Sequence, residues 1–299
     1  MQTPIIFGEV LFDIFESNHS VLGGAPFNVA WHLNGFGNHP IFISRIGRDN
    51  LGSEVLKKMD SWGMNKSGVQ TDSEYPTGRV SVGMHDNEPR YTIESDQAYD
   101  FINPPASKVI QNAGQTILYH GSLALRNEKS RFALAELKKK SSSDVFFDVN
   151  LRAPWWEKEI ILDELHDTDW LKCNEHELKE ISLMIDAVEN TREKQAFRMI
   201  EYFNLTGIVV TMGSEGAMLI QKNGDVYFAV PNPVDALVDT VGAGDAFAAV
   251  TIMGLLKKWN AQQILDRASE FAAEICRIRG ATTENHELYQ SKNDLWGAK

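Results

Sequence analysis

The stretch from Gly242 to Lys258 is apolar almost all round, with Ala246, Phe247, Ala249, Val250, Ile252, Met253, Leu255 and Leu256 leaving no polar face. A helix of that kind must be covered on every side, so the chain has to fold in layers around it and hold its N-terminus rigidly. Its entry reads DTVGAGDAF, from Asp239 to Phe247. Gly242 and Gly244 permit a tight turn that uncovers the first amides of the helix, and Asp245 projects a carboxylate from the same turn. Unpaired helix-start N–H groups and the positive end of the helix dipole bind anions. An Asp at such a junction ordinarily does no more than cap the helix. Here two Asp residues bracket a Thr and two glycines, and the small Ala243 and Ala246 clear the approach, which is more than a cap requires. A base beside an anion site points to phosphoryl transfer to a hydroxyl, with Asp245 accepting the proton. The dipole is expected to lower the pKa of that carboxylate.

At 299 residues the chain has room for one large α/β domain or for two. A formal net charge of −12, with no basic run longer than Lys138 to Lys140, disfavours an electrostatic grip on nucleic acid or an anionic membrane. Those three lysines read as a solvated helix end. Cys173 and Cys276 make no metal-ligand spacing, and one possible pair does not imply an oxidising compartment, so a reduced cytoplasm is expected. MQTPIIFGEV is not an export signal, and no window approaches about 18 uninterrupted apolar residues, so a soluble, unexported protein is expected.

Ile5 to Val10 reads as a buried strand running out through Leu11, Phe12 and Asp13 before the polar stretch Glu16 to Ser20. Asp13 is then expected near a strand's carboxyl end, where ligands of open parallel sheets gather; a turn Asp fits the same spacing. In GGAPFNVAWHLNGFG, Gly23 to Gly37, apolar residues recur at helical spacing between Pro26 and Gly37. Its paired glycines allow close approach to the main chain, and Asn28 offers donor and acceptor from the first turn. Pro40 to Ile46 reads as a strand and about Leu51 to Trp62 as an amphipathic helix, the start of a βαβ pattern.

From Lys66 to Ile93 the pattern turns to short alternating runs, Thr77 to Met84 and Arg90 to Ile93, around the turn-rich HDNEP; such hairpin strands do not belong in a helix-covered parallel sheet. Alternation of strand and helix resumes after Asn103: Thr116 to His120, a helix over about Glu128 to Lys140, then Val145 to Val149. Asp148, Asn150 and Arg152 follow each other at every second position, which predicts one shared polar face and ligand contact. Trp170 to Asn174 is a further strand, and Asn174 with Glu177 matches a capping box. Gly207 to Met212 is a buried strand, TMGSEGA makes a glycine turn with Thr211, Gly213 and Gly216, and Met218 to Gln221 pairs with Val226 to Val230 through Asn223 and Gly224. A last helix is expected from Ala261 to about Ile278, with a polar, frayed tail from Thr282 onward.

Taken in order, GEVLFD, GGAPFNVA, DVNLR and DTVGAGD resemble the signatures of the PfkB, or ribokinase-like, family of carbohydrate kinases over nearly the whole chain, from Gly8 to about Ala281, and most nearly its bacterial fructokinase-type members. Ala25 stands where ribose-directed members more often carry Lys. The resemblance implies a single kinase domain over 1–299, a three-layer α/β/α sandwich with a mostly parallel central sheet and a small β-sheet lid formed by about 14–22 and 66–97. It implies transfer of the γ-phosphoryl of ATP to a hydroxymethyl of a free sugar, carbon 6 of fructose above all, with Asp245 as base and the amides from Val241 through Gly242, Ala243 and Gly244 as anion hole. Gly23, Gly24 and Asn28, with Asp13, Asp148, Asn150 and Arg152, would contact the sugar. Asn174, Thr211, Gly213, Gly216, Gly242 and Gly244 would lie against the nucleotide. Glu177 would hold Mg²⁺ through water and Asp239 a K⁺ ion. Within the lid, Arg90 or Gln97 would reach the substrate, though an Arg on a hairpin is as a rule solvated. A homodimer through the lid is implied as well. Ribose, 2-keto-3-deoxygluconate or a nucleoside stay open as acceptors, as does a non-catalytic sugar sensor. A dinucleotide-binding dehydrogenase fails because no GxGxxG follows the first strand.

Overall fold

In the computed structural model the chain is described over residues 2–16, 19–85, 88–111, 113–114, 116–230 and 237–297, except for the side chains of 84–85 and 88–90. It opens with β1 (Ile5–Phe7), β2 (Leu11–Phe15), β3 (Ser20–Gly23), α1 (Ala25–Gly35), β4 (Ile41–Gly47), α2 (Asn50–Ser61), β5 (Val69–Asp72), β6 (Gly78–His85) and β7 (Glu88–Ile93). Then follow α3 (Ser107–Ile110), β8 (Ile117–His120), α4 (Glu128–Lys140), β9 (Asp144–Asp148), α5 (Lys158–His166), β10 (Trp170–Asn174), α6 (Glu175–Met184) and α7 (Arg192–Phe203). The chain continues through β11 (Gly207–Thr211), β12 (Ala217–Gln221), β13 (Val226–Ala229), α8 (Ala243–Leu256), α9 (Ala261–Ile275) and α10 (His286–Leu295).

Among the described residues nine strands form the central sheet in the order β13-β12-β11-β10-β9-β8-β1-β4-β5, with β12 antiparallel to both its neighbours and the other pairings parallel. Alternate residues of each strand face opposite layers. Ile6, Phe42, Tyr119, Phe146 and Val209 pack with α1, α2, α8 and α9. On the other face Ile5, Phe7 and Leu118 pack with α4, while Phe147, Leu171 and Ile208 pack with α5, α6 and α7. This is the expected three-layer sandwich. Every residue of α8 from Ala246 to Gly254 is buried, as its all-round apolar pattern requires; each large side chain so buried contributes roughly 1.5–3 kcal/mol. Among the described residues no helix is long and apolar enough to cross a membrane.

Five expectations are corrected. The first apolar run is two strands: β1 stops at Phe7, and β2 leaves for a separate sheet of order β3-β2-β6-β7. Asp13 therefore sits in mid-strand, opposite Val21 and Val80, and not at the end of a central strand. That second sheet draws on Leu11–Phe15, Ser20–Gly23, Gly78–His85 and Glu88–Ile93, whereas Val69–Asp72 pairs with β4 in the central sheet. The turn over residues 86–87 lies outside the described residues, as does the side chain of Arg90.

The polar tail is no fray. After α9 ends at Ile275, α10 docks on α1: Tyr289 is 1% exposed, its ring packs against Phe36 and Phe271, and its hydroxyl pairs with His32 Nδ1 at 2.9 Å. Tyr289 and Trp296 supply the apolar anchor that the polar composition obscures. Nor is the lysine run simply solvated, since Lys138 bonds Glu164 at 2.6 Å and is largely covered.

Candidate active site

The strand order reverses around β1, which has β4 on one side and β8 on the other. Open parallel sheets bind ligands in the crevice outside the carboxyl ends of the strands at that point. Into this crevice lead Gly8 and Glu9 after β1, Ser122 to Arg126 after β8, Asp148 to Arg152 after β9 and Asn174 after β10.

The GG turn enters it from one end of the sequence. Gly23 closes β3, and Gly24 takes φ 106° as N-cap of α1, a conformation L side chains avoid. A Cβ on Gly24 would lie 2.9 Å from the Glu9 carbonyl oxygen. The turn presents Asn28, 4% exposed, whose Nδ2 donates to Asp245 Oδ2 at 2.8 Å. The two ends of the chain thus meet at one carboxylate.

Asp245 comes from the start of α8, after Gly242 at φ 79°. A Cβ on Gly242 would run into Ala281, so only glycine seats this turn against the segment beyond α9. Not all the expected amides are free. Val241 N–H donates to Asp239 Oδ1 at 3.0 Å and Ala243 N–H closes a turn onto Thr240 O at 3.3 Å. The amides of Gly242 and Gly244 have no partner among the described residues. Asp239 Oδ2 also accepts from Gly280 N–H at 3.1 Å, tying the two loops together.

The pKa of Asp245 moves opposite to the dipole expectation. Burial pushes it up to about 6, outweighing the Asn28 hydrogen bond that lowers it; Asp148 raises it further, while Lys172 and Arg152 pull it down. Asp13, half-buried on β2, is likewise raised to about 6 by burial.

The shared face expected for Asp148, Asn150 and Arg152 does not form. β9 ends at Asp148, and Asn150 turns to φ 41°, which Asn tolerates and which breaks the alternation. Asp148 is 0% exposed and takes Lys172 Nζ on both oxygens at 2.8 Å, with Tyr119 O–H at 3.2 Å. It belongs to a buried ion pair and not to an open wall. Asn150 receives Ser122 Oγ–H on its carbonyl, and Arg152 is exposed at the crevice, with Glu9 and Asp245 within its electrostatic reach.

Nothing in the local sequence marks Lys172, whose neighbours in WLKCN are those of a buried strand. A Cβ on Gly244 would lie 3.7 Å from its Nζ, so the ammonium stands beside the unpaired amides. Burial pulls its pKa down, but Asp148, Glu177 and Asp245 more than restore it, leaving the group charged. Asn174 and Glu177 form the capping box: Asn174 Oδ1 accepts Glu177 N–H at 2.9 Å and Glu177 Oε2 accepts Asn174 N–H at 2.9 Å. Glu177 Oε1 also takes Leu151 N–H at 2.9 Å, which fixes the exit of β9 to the start of α6. Thr211 pairs with Asn174 across the sheet, and Gly213 (φ 57°) and Gly216 (φ 104°) shape the following turn, closed by Met212 N–H onto Gly216 O. Gln97 donates its main-chain N–H to Asp100 Oδ2 at 2.9 Å and Nε2 to Ser95 O at 2.6 Å, while its Oε1 is buried without a partner among the described residues.

The model of the pfkB family carbohydrate kinases matches residues 11–288. A fructokinase of Klebsiella pneumoniae is 30% identical over 263 residues, 84% of this chain and 83% of that one. A 5-dehydro-2-deoxygluconokinase of Clostridium botulinum is 27% identical over 302 residues, 92% of this chain and 86% of that one. The crystal structure of a sugar kinase of Pyrococcus horikoshii in complex with ATP superposes with a TM-score of 0.79 at 25% identity, over 94% of each chain. With the family match spanning nearly its whole length, the chain belongs to the pfkB family of carbohydrate kinases.

Proposed function

We propose that this protein transfers the γ-phosphoryl group of ATP to a hydroxymethyl of a free sugar, carbon 6 of D-fructose. The observation that carries the reading is the convergence of Asn28, Asp245, Lys172 and the unpaired amides of Gly242 and Gly244 on one crevice. Asp245 takes the hydroxyl proton as the oxygen bonds to phosphorus. With its pKa near 6 it is ionised at neutral pH and a better base than an ordinary Asp. Asn28 holds that carboxylate in place through its 2.8 Å hydrogen bond. The two glycine amides and Lys172 face the charge that spreads over the transferring group, and such positioning and electrostatics carry most of the catalysis.

The nucleotide would lie along Asn174, Thr211, Gly213 and Gly216, toward Gly242 and Gly244. Each Glu177 oxygen accepts one amide and keeps lone pairs, which suits it to a water of hydrated Mg²⁺ more than to the ion itself. When bound, that ion neutralises phosphate charge. Asp239, between the 239–242 and 280 loops, would hold K⁺ nearby, and equal activity in K⁺ and in tetramethylammonium would remove that part of the reading. The second sheet would close over the sugar as a lid, bringing Gly23, Gly24 and Asp13 to its hydroxyls, within a single domain over 1–299. A homodimer through this sheet completes the reading, consistent with Tyr91 standing 54% exposed on β7.

A second acceptor is favoured by one observation. Arg152 is exposed at the crevice, and a guanidinium there suits the carboxylate of a keto-deoxy sugar acid. A non-catalytic sensor is disfavoured, since base and glycine turn are both present. The test is an ADP-release assay over D-fructose, D-ribose, 2-keto-3-deoxygluconate, 5-keto-2-deoxygluconate and adenosine. Highest kcat/KM with D-fructose supports the proposal, preference for a sugar acid selects the second reading, and no turnover with any of them overturns both.

A further inference from the structure

We infer that Glu9 and Arg126 form the far wall of the sugar pocket, an acceptor and a donor for hydroxyls at the end of the sugar away from the phosphorylated one. The inference rests on the sugar-kinase reading above and adds two residues that none of its roles employs.

Glu9 lies two residues after β1, and Arg126 ends the short turn Leu123–Arg126 that follows β8; β1 and β8 are adjacent at the reversal of strand order, with Phe7 and His120 as paired neighbours. Both side chains therefore stand at the mouth of the crevice from its two sides. Glu9 is 4% exposed, and its Oε2 has no hydrogen-bond partner among the described residues. Its main chain backs the GG turn at Gly24, one helical turn from Asn28 and hence from Asp245.

Arg126 is held flat and oriented. Its Nε and one terminal nitrogen donate to the two oxygens of Asp100, each at 2.7 Å, and that terminal nitrogen also reaches Glu94 O at 2.6 Å. The guanidinium lies 4.3 Å from the Trp155 ring centre and 5.2 Å from that of Tyr99. The other terminal nitrogen is buried without a partner among the described residues. The ion pair with Asp100 is already complete, and the one Tyr99 hydroxyl that bears on the guanidinium does not occupy all the remaining N–H groups. Nor does Glu9 satisfy them, since no ion pair joins Glu9 to Arg126 among the described residues.

The charged and titratable groups that bear on Glu9 are Arg152, Asp245 and Arg126, with Tyr99 and Tyr119 sensing it in turn. Burial lifts its pKa to about 7. A buried acceptor and a buried donor left unpaired are costly, and a polyhydroxylated ligand end satisfies both at once. Sites built to hydrogen-bond a hydroxyl reject analogues lacking it by up to about 10⁴–10⁵-fold. The wall therefore selects a sugar that carries hydroxyls at that end over analogues that lack one of them.

The test uses the full chain as wild type, Glu9→Gln and Arg126→Lys, with D-fructose, 1-deoxy-D-fructose and 2,5-anhydro-D-mannitol as acceptors. The two analogues each lack one hydroxyl at the end distal to carbon 6. Steady-state kinetics and calorimetric titration of D-fructose without ATP are both read. The expected result is a rise of at least about fivefold in both KM and Kd for D-fructose in Glu9→Gln, with KM for ATP moving less. At least one analogue should bind wild type at least about fivefold more weakly than D-fructose, a penalty that shrinks in one of the two variants. Smaller changes in Glu9→Gln, or analogue penalties equal in all three proteins, overturn the inference. The comparison of analogues on wild type and Arg126→Lys decides the matter if Glu9→Gln fails to fold. Wild type that turns over fructose while the variants do not differ sinks the wall alone; wild type that neither binds nor phosphorylates any sugar of the screen sinks the sugar-kinase reading with it.

Discussion

Asn28 and Asp245, 217 positions apart in the chain, are joined by a 2.8 Å hydrogen bond from Asn28 Nδ2 to Asp245 Oδ2. The bond stabilises the ionised carboxylate against the burial that pushes its pKa up to about 6. Asn28→Ala removes that support and lifts the pKa further. The acid limb of kcat/KM, near pH 6 in wild type, should move up by as much as about 1 unit. The variant therefore loses more activity at pH 6 than at pH 8. A pH–rate profile whose acid limb stays in place would show that the bond does not tune the base.

Asp245→Asn should lower kcat by about 10²–10⁴-fold with sugar affinity changed by no more than a few fold. The same variant should be more stable than wild type at pH 8. A carboxyl whose folded pKa is raised from 3.8 to about 6 contributes stability below 3.8 and loses it as pH rises through 6. Removing the charge should therefore gain about 1–2 kcal/mol above pH 7, after discounting for partial exposure, and nothing below pH 4. Denaturant titrations at pH 4 and pH 8 check the sign.

Lys172→Met leaves Asp148 charged and fully buried, which should cost about 3–5 kcal/mol of stability. Adding Asp148→Asn should restore most of that loss. Activity should not return, because the ammonium beside Gly244 is gone. Urea unfolding and the ADP-release assay on the single and double variants separate the two roles.

Tyr289→Ala should destabilise the protein by about 3–5 kcal/mol, the range for a large buried aromatic. Tyr289→Phe, which removes only the hydroxyl bonded to His32, should cost about 1 kcal/mol. Thermal unfolding of the two would distinguish a docked helix from a dispensable tail.

The layered fold was legible because its signal is local: α8 is apolar all round, and the central strands are short apolar runs that alternate with helices. The GG turn, Asn28 and Asp245 were legible for the same reason, as glycine turns at helix starts. Three things were not. Asp148 sits at a spacing that suits a ligand wall, yet the left-handed turn at Asn150 and the partner Lys172 are products of tertiary packing. The pKa of Asp245 follows from burial by distant segments, which outweighs the dipole of its own helix. Tyr289 is one aromatic in a polar run, and only the aromatic surface of α1 and α9 makes it an anchor. Lys172, Glu9 and Arg126 carry no spacing signal at all, and what marks them is a charged side chain inside or next to a buried strand.

The contact between His32 and Tyr289 spans 257 positions, and His32 also pairs with Ala281, which lies against Gly242. Synthesis proceeds from the N-terminus, and domains of this kind are completed as units. While a nascent chain still lacks α10, the aromatic face of α1 has no cover and the turn bearing Asp245 has no finished support. The support of the Asp245 turn is therefore complete only once α10 has been made and docked, so the inner layers alone do not hold the two halves of the crevice in register.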